Sequence, residues 1–86
     1  MTIVAKTTCI LASMDDIEQA SYRIMWFEFL EQLGGLHDDA FVQNGTVITR
    51  LWTDKRCAKE YVKWLSTSLA EINITPVSIT LEDYVE

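Results

Sequence analysis

The chain predicts an α+β domain in the order strand, helix, strand, strand, helix, strand, and three observations carry this. The stretches "TIVAKTTCILA" (2–12) and "PVSITLEDY" (76–84) are rich in β-branched residues and alternate as half-buried strands do. "SMDDIEQ" and "TDKR" each set a capping side chain ahead of a long helical pattern. Between them, Asn44-Gly45 separates two extended runs, a strong short-range hairpin signal.

Taken in order, residues 2–12 form the first strand. Ser13, with Asp16 three residues on, opens the first helix, and Asp15 and Asp16 suit the positive end of its dipole. That helix runs to Leu33 and stops at Gly34-Gly35, where glycine can take the left-handed conformation that closes a helix. Strands near 39–43 and 46–53 follow, joined by Asn-Gly as a type I′ turn with positive φ at both central positions. Thr53 or Asp54 caps the second helix, about 54–72; Asn73 and then Pro76 end it and lead into the last strand. The sum is the split βαβ pattern of ferredoxin-like folds, a four-stranded antiparallel sheet with both helices on one face. No linker, low-complexity tract or repeat divides the chain, so residues 1–86 read as a single domain.

The bulk numbers restrict function. A chain of 86 residues buries about 60–65% of the surface its unfolded form exposes, so its core is thin. Yet 49% of its residues are hydrophobic and nine are aromatic, a surplus that predicts an interface. Thirteen acidic against seven basic residues leave a net charge of −6, and nucleic-acid binding needs the reverse. The basic group Lys55, Arg56, Lys59 and Lys63 is interleaved with Asp54 and Glu60 and reads as a solvated helix face, which also disfavours an anionic lipid surface. The start alternates like a strand without the leader of a signal peptide, and no apolar run approaches the ~20 residues of a membrane span. Cys9 and Cys57 lack CxxC-type spacing and read as buried free thiols, so the expected compartment is the cytoplasm.

The two helices differ. In the second, Cys57, Ala58, Tyr61, Leu65, Leu69 and Ile72 share one arc, while Lys59, Glu60, Lys63, Ser66, Thr67 and Glu71 lie outside it. In the first, Ile17, Ala20, Ile24 and Phe27 make a stripe, but Tyr22, Trp26, Phe29 and Leu33 lie far around from it. A helix apolar on several sides is covered twice: by its sheet, and by a subunit, by the loop 34–40, or by a ligand in a cavity walled by Trp26, Phe29 or Phe27. On the sheet's open face, alternation places Val4, Ile10, Ile48 and Trp52, studded with Lys6, Arg50 and Glu82. That mixture predicts a self-complementary two-fold interface and hence a homodimer.

Other uses of this fold need residues the chain lacks. The first strand has no aromatic for stacking RNA bases, Cys9 stands without a CxxC partner, and "ASMDD" sets acids where a phosphate cradle needs glycines. No paired His/Asp/Glu constellation signals a hydrolase or metal site. His37, in "GGLHDDA", is the one histidine. Flanking carboxylates could orient it as a base or ligand, but the setting reads as an ordinary loop.

The stretch "TRLWTDKRCAKEYVKWL" (49–65) resembles the third-strand-to-second-helix segment of the antibiotic-biosynthesis-monooxygenase-like families of the dimeric α+β barrel superfamily. It carries a strand ending in Trp52, a short polar cap, and a helix turning Ala58, Tyr61 and Leu65 to the sheet; "VAKTTCI" resembles their first strand. The resemblance implies a homodimer with sheets packed face to face and a cavity between sheet and helices. There, some members oxidise aromatic substrates or degrade haem without a dedicated cofactor. It implies Trp52 as a pocket residue with Tyr61 and Trp26 as walls, and so turns Trp52 inward where alternation turns it outward. Haem-degrading members pair that Trp with a first-strand Asn and a helix His. Lys6, Thr7 and Thr8 stand in this first strand, and the second helix has no His.

The expectation is a small dimeric protein binding a hydrophobic or aromatic molecule between helices and sheet. Trp52, Tyr61, Trp26, Phe29 and Tyr22 are the candidate ligand-binding residues, and no cofactor or metal is expected. Beside it stand a non-catalytic dimerisation module, with the aromatics as core and interface, and a cofactor-independent monooxygenase-like enzyme.

Overall fold

A computed structural model describes residues 2–30 and 41–84, with only the backbone of residues 25–30 and 41. The elements are β1 (Ala5–Ile10), α1 (Met14–Leu30), β2 (Phe41–Asn44), β3 (Val47–Trp52), α2 (Lys55–Glu71) and β4 (Ser78–Asp83). The sheet order is β2-β3-β1-β4 and every neighbouring pair is antiparallel. Two split βαβ units therefore interleave, each inserting its strand into the gap left by the other. This is the predicted ferredoxin-like architecture.

Local chemistry sets the element ends. Ser13 Oγ accepts the Asp16 N–H at 3.2 Å, so the predicted cap opens α1. Asp54 caps α2 from an extended backbone (φ −136°, ψ 116°), its carboxylate accepting the Arg56 N–H at 2.8 Å. At the far end of α2, the Asn73 N–H bonds the Ala70 carbonyl at 3.1 Å and the Ile74 N–H bonds that of Leu69 at 2.9 Å. With Asn73 at φ 60°, this is a Schellman closure, sealed by buried Ile74 and Leu69. The predicted glycine stop of α1, the loop 34–40 and His37 lie outside the described residues.

Three expectations are corrected. First, the β2–β3 turn is shifted by one residue: Asn44 pairs with Val47, so its central residues are Gly45 and Thr46. Gly45 has φ +60° while β-branched Thr46 keeps a negative φ, the pattern of a type II′ turn rather than I′. Second, β3 turns to the helices the face that alternation had set outward, so Trp52 points inward, as the resemblance implied. The register sets Trp52 against Ala5, Arg50 against Thr7 and Ile48 against Cys9, all facing the helices. Both alternating sets of β3 hold two apolar residues and one polar one, so hydrophobicity alone did not choose between them. Third, the last strand begins later than the predicted stretch 76–84: Val77 precedes β4 and is exposed, while Ile79 and Leu81 pack on the core.

The core lies between that sheet face and the helices. Ile17, Ala20 and Ile24 of α1 meet Cys57, Ala58, Tyr61, Leu65 and Leu69 of α2 above Ala5, Cys9, Ile48 and Trp52. Both helical stripes match expectation wherever side chains are described.

Candidate functional site

The most unusual chemistry lies inside. Strand β3 ends by turning Arg50 and Trp52 inward, two residues apart and so on one face, while β1 brings Thr7 opposite Arg50. From above, α2 lowers Tyr61, three residues beyond Ala58, which packs in the same cluster. Trp52 and Tyr61 are 0% and 1% exposed, and their ring centroids stand 5.0 Å apart with a 47° tilt. Trp52 Nε1 donates to Thr7 Oγ1 at 3.0 Å, and the Thr7 hydroxyl donates in turn to the Arg50 carbonyl at 3.4 Å.

Arg50 is only 2% exposed, an unusual place for a guanidinium. Its Cζ lies 5.1 Å from the Trp52 ring centroid and 5.6 Å from that of Tyr61, so two π-faces flank the charge. Such contacts are worth about 0.5–2 kcal/mol each and strengthen as water is removed.

The cysteines are poor nucleophiles. Burial pushes the Cys9 thiol up to about 11. Cys57 sits in the first turn of α2, where the helix dipole favours a thiolate. Burial and the neighbouring Asp54 carboxylate nevertheless raise its pKa. Among the described residues, no group of three or more His, Cys, Asp or Glu side chains could hold a metal ion. Nor is any described helix long and apolar enough to cross a membrane.

Of the predicted ligand residues, the structure brings Trp52 and Tyr61 together and keeps Tyr22 apart from them. Tyr22 is 63% exposed on the outer side of α1. There it lines an open groove of about 700 Å3 with Gln19, Arg23, Trp64, Ser68, Glu71 and Ile72. It also borders a cleft of about 450 Å3 toward Gln43 of β2. The side chains of Trp26 and Phe29 lie outside the described residues. Neither of these two clefts is lined by Trp52 or Tyr61.

Sequence reasoning missed Arg50, Thr7 and Trp64 as site residues. Arg50 was recoverable, since a Trp52 turned inward carries the residue two before it to the same face. Trp64 follows Tyr61 by three residues, the spacing of a helical neighbour on the border of the buried arc.

Fold and interior together define a ferredoxin-like α+β domain with a buried Arg–Trp–Tyr cluster. Compared with family models, curated proteins and solved structures, the chain matches none.

Proposed function

We propose that the protein is a non-catalytic self-assembly module, a homodimer whose subunits meet through the open faces of their sheets. The observation that carries this reading is the composition of that face. Its register places Ile10, Val42, Val47 and Leu51 around a row of Thr49, Thr8 and Thr80, with Lys6 set opposite Glu82, and Val4, two residues before Lys6, is exposed as well. A patch bearing apolar side chains and both signs of charge can meet its own two-fold copy, Lys6 toward Glu82 and Glu82 toward Lys6. The face-to-face pairing is also what the resemblance to dimeric α+β barrels implies. The tight contact of Trp52 with Tyr61 supports reading these rings as core rather than as walls of a reaction chamber. The two cysteines, buried and free of disulfides, suit a cytoplasmic protein.

The magnitude matters. Four strands spaced about 4.8 Å and about 20 Å long make a face of roughly 400 Å2 in projection. Even with side-chain relief this is at the low end of stable interfaces, which average about 800 Å2 per partner. The expected dimer is therefore concentration-dependent. Light scattering on a size-exclusion column tests it: wild type moves from monomer to dimer as loading rises, while Leu51→Glu stays monomeric with an unchanged circular-dichroism spectrum. Leu51 is registered opposite Lys6, so the new carboxylate has a cation within the monomer and the fold survives. A wild type that is monomeric at millimolar concentration sinks the proposal.

A further inference from the structure

The groove between the helices has its own chemistry, on the layer opposite the open sheet face. On α1, Gln19, Tyr22 and Arg23 recur at helical spacing; on α2, Trp64, Glu71 and Ile72 do the same. The groove is thus a crease between two helices whose other stripes are committed to the core. Its space, about 700 Å3, lies within the range of small-molecule sites.

Among the described residues, two aromatic side chains and one charge of each sign border this crease. Arg23 and Glu71 approach to 3.8 Å, an ion pair outside hydrogen-bond distance, with side chains 36% and 61% exposed. A pair this open and this long is screened by water and contributes little, so a ligand that separates it loses little. Both ends then become charge-assisted hydrogen-bond partners for a molecule that carries both signs itself.

We propose that the α1–α2 groove is a binding site for an aromatic zwitterion, of the class of an aromatic amino acid. The ring lies against Trp64, Tyr22 and Ile72, the carboxylate engages Arg23, and the ammonium engages Glu71. A neutral aromatic leaves Arg23 and Glu71 paired with each other and gains no charged contact, and a singly charged one takes one of them and strands the other, so selectivity comes from the pair. The site shares no residue with the open sheet face and stands independently of the dimer.

The test is a titration of isotopically labelled protein followed by NMR, using L-tryptophan, indole-3-propionate (no ammonium) and tryptamine (no carboxylate) as probes. The expected result is a saturable shift of the Trp64 indole N–H and the Tyr22 amide with L-tryptophan, and binding about tenfold weaker for each analogue. Arg23→Gln abolishes the preference over tryptamine, Glu71→Gln abolishes that over indole-3-propionate, and Tyr22→Ala, at an exposed position, weakens all three. Absence of a saturable L-tryptophan shift, equal binding of the three probes, or shifts unaffected by Tyr22→Ala would each overturn the assignment.

Discussion

Thr7 shows how much of the interior hangs on one hydroxyl. It accepts the Trp52 indole N–H and passes its own proton toward the Arg50 carbonyl, so one small side chain satisfies two buried groups. Valine has the same shape but cannot accept, and it leaves the indole N–H buried beside a methyl group. Thr7→Val is expected to cost about 1–3 kcal/mol in urea unfolding, and Thr7→Ser clearly less, because the acceptor survives. Equal losses for the two would mean that the methyl group, and not the hydrogen bond, is what matters. The same neighbourhood shows where sequence reasoning stops. Tyr61 was placed from helical spacing, because its arc is apolar against a plainly charged back. Alternation turned Arg50 and Trp52 outward, and only the resemblance turned Trp52 inward, because each face of β3 offers two apolar residues and one polar one. Only pairing with β1, forty-odd residues away in sequence, decides between them.

Single capping residues govern the ends of α2. Hydrogen bonding from the Arg56 N–H holds the Asp54 carboxyl below its ordinary value near 3.8, and a bond from Lys55 at 2.6 Å does the same for Asp83. Both groups bind protons less readily in the fold than in the unfolded chain. Their contribution is therefore present above the unfolded pKa and is lost as pH falls through the folded values. Thermal unfolding is expected to be insensitive to pH near neutrality and to drop in melting temperature below about pH 4. Asp54→Asn keeps a good cap, so it should melt near wild type at neutral pH while losing part of the acid sensitivity; an undiminished acid response would exclude Asp54 as a source. At the other end, Asn73 holds φ 60°, a conformation asparagine tolerates and alanine resists. Asn73→Ala should cost about 1 kcal/mol in chemical denaturation and Asn73→Gly nothing; a neutral alanine variant would show that the Schellman closure is dispensable. These caps were legible from short local patterns. The hairpin was legible in place but not in type, because "QNGT" suits either a turn centred on Asn-Gly or one centred on Gly-Thr. Pairing of Asn44 with Val47 selects the second, and threonine's resistance to positive φ then makes the turn II′ rather than I′.

At the scale of the molecule, the two layers separate the proposed roles: the sheet's open face for assembly, the helical crease for a ligand. Element order and the helical stripes were readable because periodicity repeats over whole elements. The sheet's open face was readable only in part, since Lys6, Ile10 and Glu82 were placed on it correctly and β3 was reversed. The reversal suits the proposed contact better: Val47, Thr49 and Leu51 stand on the open face in place of Ile48, Arg50 and Trp52, which takes the arginine off that face and adds β-branched surface. A thin core coupled to the proposed interface has a thermodynamic consequence. If the dimer forms only from folded chains, mass action stabilises the native state as concentration rises. Wild-type melting temperature should therefore climb by several degrees when protein concentration is raised about a hundredfold, since about 1–2 kcal/mol shifts a domain this small by that much. Leu51→Glu should flatten the dependence without changing the melting temperature extrapolated to high dilution. A wild-type melting temperature indifferent to concentration would mean that the sheet face is solvated in the working protein. Its mixture of threonines and apolar residues would then be only an exposed surface.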